Sequence, residues 1–269
     1  MPSVILAMLD RPRDAPGLLA AAACLQTWIG GAVINALIVR IPPLATILAS
    51  EEVLTRQRES QIRAQEQARA AALSEVFRDW QRSSGSSAHL VDVESVAAEA
   101  VAERGRSADF VVIERPERRG YGMSSQAITT ALFETDRPVL VVPPGYSKGF
   151  GHRIAVAWRD DNRAIRAVFP ALRLLAGAEQ VHLLTGVRDG VAPPSVPAVF
   201  RDHGIAAQLH ILPIGKEPFG QTLLTKLHKL GADVLVMGAY AHSPLREMIF
   251  GGVTRYMLEH ADVPVLMRH

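Results

Sequence analysis

The residues best suited to chemistry lie together in Val236–Thr254, VMGAYAHSPLREMIFGGVT. An apolar run ends at Met237 and a small-residue turn follows at Gly238 and Ala241. Gly251 and Gly252 then stand immediately before a helical pattern that opens with Val253 and Thr254. Glycine lets backbone N–H groups approach an anion closely, and a helix N-terminus presents unpaired donors and the positive end of its dipole. Thr254 adds a hydroxyl. His242 has the chemistry to contact a phosphate or move a proton, or to hydrogen-bond within its own loop. Ser243 reads as a turn residue, and Arg246 and Glu247 as surface charges. Asp160 and Asp161 offer a metal ligand pair or a cap for a helix beginning near Asn162, and capping is the reading their position favours.

The elements that must position this loop alternate strand with helix. In the second half, Arg153–Trp158, Val181–Thr185, Ala206–Leu212, Asp233–Met237 and Pro264–Met267 read as strands. Helices are predicted over Asn162–Leu175 (Ile165, Val168, Phe169, Leu172 and Leu175 at helical period), Phe219–Leu230, stopped by Gly231, and Val253–His260. The first half repeats the order. Strands are predicted at Val4–Leu9, Ala32–Val39, Ala88–Val91, Asp109–Ile113 and Pro138–Val142. Helices follow the first strand, over Val93–Glu103 and near Ser125–Glu134. Strands apolar on both faces and alternating with helices indicate a parallel sheet covered on both sides. The repeat is visible in residues: ADFVVI (108–113) matches ADVLVM (232–237), and DRPVLV (136–141) matches DVPVLM (262–267). A period on the order of 125 residues is a domain duplication, not a solenoid. PPGYSKGFG (143–151) has linker composition, dividing the chain into residues 1–146 and 147–269. The halves differ at Glu51–Arg82, a long helix near 51–82 with an apolar stripe of Leu73, Val76, Phe77 and Trp80. That stripe suits docking on the sheet or, alternatively, on a partner.

With these residues in place, the chain resembles the universal stress protein family. The loop 236–254 is similar to that family's Gly-x-x-Gly, about nine residues, then Gly-Ser or Gly-Thr, and LEHADVPVLMRH resembles its ending. The resemblance implies an α/β fold of two tandem open five-stranded parallel sheets, order 3-2-1-4-5, pseudo-two-fold related. It also implies pairing through the last strand and, in some members, ATP at this loop. There are departures. Ala241 stands at the second glycine, Gly252 where Ser or Thr is usual, and Arg159 where ATP-binding members carry an Asp after the first strand. In the first half Asp10 keeps that Asp, but Glu114 replaces the first glycine, Pro116 removes a donor and Glu117 adds negative charge. ATP is not expected there, and Gly120, Gly122, Ser124 and Ser125 read as a turn and helix cap. The expected ligand contacts are therefore Gly238, Ala241, His242, Gly251, Gly252, Val253, Thr254 and Arg159.

Composition narrows the function classes. Hydrophobic residues at 48% suit a globular core, and a net charge of +2 gives no electrostatic case for nucleic acid. No apolar run approaches the roughly 20 residues of a spanning helix, and Asp10, Arg11 and Arg13 interrupt the first one, so no signal peptide or membrane is expected. Cys24 is the single cysteine, an inert core thiol that fits a reducing, cytoplasmic setting. His89, His152, His203, His210, His228, His260 and His269 have no metal-ligand spacing, and no metal is expected. No G-x-S-x-G, P-loop or H-E-x-x-H pattern is present. The expectation is a non-enzymatic stress-response protein binding ATP or a related anion, with internal domain pairing, an unidentified protein partner and an optional homodimer. A ligand-free scaffold or a weak nucleotide-hydrolysing enzyme are the alternatives.

Overall fold

A computed structural model describes residues 3–46, 55–115, 123–159, 161–192, 194–239 and 252–269. The first half runs Ser3–Leu9 (β1), Ala15–Trp28 (α1), Ala32–Arg40 (β2), a 3-10 turn Pro43–Thr46, Arg56–Ser84 (α2) and Ala88–Glu94 (β3). It continues through Ala97–Gly105 (α3), Phe110–Glu114 (β4), Met123–Glu134 (α4) and Val139–Val142 (β5). The second half runs Arg153–Trp158 (β6), Asn162–Ala176 (α5), Gln180–Val187 (β7), Ala198–Asp202 (α6) and Ala207–Pro213 (β8). Phe219–Leu230 (α7), Val234–Gly238 (β9), Val253–His260 (α8) and Val265–Arg268 (β10) complete it.

Each half has the strand order 3-2-1-4-5, but the two sets are not separate sheets. They form one ten-stranded sheet, β3-β2-β1-β4-β5-β10-β9-β6-β7-β8. Neighbours within each half are parallel, and β5 meets β10 antiparallel, with Leu266 opposite Leu140, Val265 opposite Val141 and Met267 opposite Val139. In the sequence repeat Leu266 is the counterpart of Leu140. The counterparts of any facing pair therefore also face each other, the register of a two-fold axis passing through the Leu140–Leu266 pair.

Alternation along the strands feeds two apolar layers. Ile5, Ala7 and Leu9 join α1, α2 and α5 on one face, while Leu6 and Met8 join α3, α4 and α7 on the other. The stripe of α2 docks as expected, with Leu73 and Phe77 buried and Val76 and Trp80 packed beside them. Its helix starts at Arg56 behind a Thr55 cap, and Gly85 ends it in the left-handed region (φ 63°); residues 47–54 lie outside the described residues.

Two expectations are corrected, and the boundary segment proves well packed. Val93 and Glu94 belong to β3 and not to a helix, because β2 extends to Arg40 and pairs with them, and Arg40 binds both Asp92 and Glu94. Phe169 leaves the apolar face of α5 and is 53% exposed. The segment 143–151 is packed despite its linker composition: Tyr146 and Phe150 are buried, the Phe150 carbonyl accepts from Trp28 Nε1 (3.0 Å), and Asp14 accepts from the Gly145 N–H (2.9 Å). The short helix α6 was not anticipated within its Pro-rich surroundings.

Candidate functional site

The two halves can be aligned atom by atom at their strand starts. Asp109 accepts from the Val4 N–H and Asp233 from the N–H groups of Gly151, His152 and Arg153, so the repeated Ala-Asp ties the fourth strand to the first in both halves. Counting along β1 and β6 from there, Asp10 corresponds to Arg159. Along β4 and β9, Glu114 corresponds to Gly238. These positions lie at the carboxyl ends of adjacent strands, where open α/β sheets bind ligands.

In the first half, the protein's own side chains fill this crevice. Glu114 is buried, and Arg11 reaches it with Nε at 2.7 Å from Oε2 while donating to the Arg115 carbonyl at 3.2 Å. Arg11 also lies 3.2 Å from Asp14. Burial pushes Glu114 up to about 7, against the pull of Arg11 and with a further push from Asp14 and Asp10. Burial also acts on Asp14, but Arg13, the Gly145 N–H and Arg11 outweigh it and hold its carboxyl below the usual range. From the other side, Arg69 of α2 donates to the Asp10 and Val39 carbonyls and lies 3.7 Å from the Asp10 carboxylate. Glu66 bonds Arg69 and accepts from the Ile41 N–H (2.8 Å). The long helix thus roofs the carboxyl ends of β1 and β2.

Among the described residues, the second half places no side chain at the strand end matching Glu114. Gly238 ends β9, and Gly252 caps α8 at φ −78°, ψ 171°, with no side-chain cap hydrogen bond. The first-turn N–H groups of α8 therefore have no capping side chain among the described residues. Thr254 is buried in that turn and Val253 packs on the core. Arg159 is 72% exposed, 3.6 Å from Asp161, whose Oδ1 accepts from the Ala164 N–H and caps α5. Trp158, immediately before it, stacks edge-on against buried Phe200. Of the expected ligand contacts, Gly238, Gly252, Val253, Thr254 and Arg159 are placed; Ala241, His242 and Gly251 lie outside the described residues. So do Asp160 and Pro116, Glu117, Gly120 and Gly122 of the first-half loop.

Cys24 behaves as expected of an inert thiol: it is half-buried, bonded to the Phe150 carbonyl (3.3 Å), and burial pushes its pKa up. Among the described residues no cluster of three metal-ligating side chains occurs and no helix is long and apolar enough to cross a membrane. One pair escaped the sequence reading. His182, buried on β7, lies 3.2 Å from His210 of β8, and burial followed by Lys226 lowers both pKa values. Their 28-residue spacing carries no signal; only the register of adjacent strands joins them.

Residues 217–269 match the Universal stress protein family model. No curated protein sequence matches the chain significantly. Among solved structures, a universal stress protein from Archaeoglobus fulgidus aligns with TM-score 0.70 at 15% identity, over 98% of this chain and 95% of that one. A Pseudomonas aeruginosa protein assigned to the universal stress proteins aligns with TM-score 0.63 at 16% identity, over 99% and 93%. A functionally unknown protein from the same species aligns with TM-score 0.61 at 16% identity, over 99% and 92%. The class is therefore a two-unit α/β protein of universal stress protein fold over its whole length. The family's own sequence pattern is present from Glu217 onward, as the sequence resemblance indicates.

Proposed function

We propose that this protein is a cytoplasmic, non-enzymatic stress protein that binds ATP or a related anionic nucleotide at the second-half loop. The supporting observation is the contrast between equivalent strand ends. Among the described residues, Glu114, with Arg11 and α2 over it, fills the first crevice, while Gly238 and the cap Gly252 place no side chain at the equivalent strand end of the second. Among the described residues no side chain caps the first turn of α8, and such a helix start behind Gly252 suits a phosphate. Arg159 adds positive charge within reach of the same strand end, where it would pair with phosphate. Turnover is not part of the proposal: the sequence carries no G-x-S-x-G, P-loop or H-E-x-x-H pattern.

The test is release and rebinding. Protein purified without added nucleotide is denatured and the supernatant assayed for ATP, ADP and AMP; the native chain is then titrated with ATP, beside Gly252→Glu. Gly252 has an ordinary negative φ, so a side chain there brings no backbone strain, and the added carboxylate acts by repelling phosphate. Saturable binding weakened at least ten-fold by Gly252→Glu, without hydrolysis above a blank, is expected. Absence of both co-purified nucleotide and saturable binding would rule the proposal out.

A further inference from the structure

We propose that the first half carries a second, separate ligand site for a small zwitterion of free amino-acid type. It lies at the opposite end of the sheet, between the amino ends of β1 and β2, the middle of β3 and the last turn of α3. A cavity of about 200 Å³ opens there. That is far more than the ~30 Å³ share of one water, so an organic molecule fits. Val4, Leu6, Val91 and Ala108 form apolar wall. Asn35, Glu103, Arg104 and Ser107 supply the polar lining. Among the described residues, none of these four side chains has a hydrogen bond or ion pair.

Asn35 is the telling residue. It sits within the otherwise apolar run AVINALIV of β2, half-buried, in an element type that disfavours asparagine. Its amide lines the cavity with no protein partner among the described residues, so its donor and acceptor are available to a ligand. The internal two-fold sharpens the point. Leu6 pairs with Asn35 as Ala155 pairs with His182, and Leu37 pairs with Val91 as Leu184 pairs with His210. The counterparts of Val4, Asn35 and Val91 are therefore Arg153, His182 and His210. In the second half, large side chains occupy these places and His182 contacts His210. In the first half, smaller ones leave the space open.

The lining sets the ligand class. Arg104 and Glu103 stand at the exposed rim with opposite charges, so a bare anion meets Glu103 and a bare cation meets Arg104. A molecule carrying both signs satisfies the two at once: carboxylate on Arg104, ammonium on Glu103. The Asn35 amide and Ser107 hydroxyl each donate and accept, and the apolar wall takes a short aliphatic side chain.

The site is independent of the nucleotide loop and is tested on the full chain by calorimetric titration with the free proteinogenic amino acids. The N-acetyl and carboxamide derivatives of any that bind are titrated alongside. Saturable one-to-one binding of at least one short aliphatic member is expected, weakened at least ten-fold when either end is blocked. Arg104→Gln, a rim change that leaves the core intact, and Asn35→His, which installs the second half's residue, should each weaken it ten-fold or more. ATP titration of both variants should be unchanged. Failure of the whole panel to bind, equal binding of blocked derivatives, or unaltered affinity in Arg104→Gln overturns the proposal.

Discussion

Glu114 and Gly238 occupy equivalent strand ends, one holding a buried carboxylate and the other no side chain. A glycine leaves room for an anion, whereas a buried glutamate must be neutralised, here by Arg11 at 2.7 Å. With a folded-state pKa of about 7 against 4.5, the folded protein holds the Glu114 proton across that window while the unfolded chain has lost it. The folded state binds more protons, so this residue's contribution to stability falls as pH rises from about 4.5 to 7 and is level above. The expected outcome is that wild type loses stability relative to Glu114→Gln between pH 5 and pH 8, by roughly 3 kcal/mol at most. Paired urea titrations across that range check it; a flat or rising difference would contradict the assignment. The substitution of glycine by Glu114 was legible in the sequence once the two halves were aligned. The arginine that answers it was not, because Arg11 and Glu114 lie 103 residues apart and only the fold makes them neighbours.

At the scale of elements, helix bounds read from glycine and apolar period were close: Phe219–Leu230 and Val253–His260 emerge as α7 and α8. Strand ends were harder, since Val93 and Glu94 are held in β3 by pairing with β2, which local sequence does not encode. The role of α2 was equally hidden. Its apolar stripe was readable, but Arg69 acts across space on Asp10 and the Val39 carbonyl. The segment 143–151 misled for a related reason: Gly, Pro and Ser suggest a loose connection, yet Tyr146 and Phe150 are buried against α1. Gly17 on α1 permits this approach, since a Cβ there would lie 1.9 Å from the Tyr146 carbonyl oxygen. Gly17→Ala should therefore destabilise by about 3 kcal/mol, as overpacking does, although Ala is the better helix former. A thermal melt showing no loss would mean the segment is not docked there.

The whole molecule is one open ten-stranded sheet made of two repeated halves, joined at its centre where β5 pairs with β10. The Leu140–Leu266 register pairs the last strands of both halves, so neither is left as an unpaired edge. Contacts on either side reinforce the join. Arg173 of α5 donates to the Ile29 carbonyl after α1 (2.6 Å), and Trp28 lies so close over Gly177 that an added Cβ would come within 2.4 Å of it. On the other face Arg115 donates to the Glu259 carbonyl at the end of α8 (2.6 Å). A sheet continuous through both halves should unfold as one unit. Fluorescence from Trp158 alone, in Trp28→Phe/Trp80→Phe, and from Trp28 and Trp80 in Trp158→Phe, should each coincide with the far-ultraviolet circular dichroism transition of the same variant. A signal that separates from it would show the halves unfolding independently.

The duplication was legible in the repeated Ala-Asp and Pro-Val-Leu strands. The asymmetry of the two crevices was legible only in part, because its closing side chains come from α1 and α2. The most direct measurement is the ATP stoichiometry of the native chain by equilibrium dialysis, repeated on Gly252→Glu. One site per chain, weakened at least ten-fold in the variant, is the expected result; two sites, none, or one that Gly252→Glu leaves untouched would contradict a single open crevice in the second half.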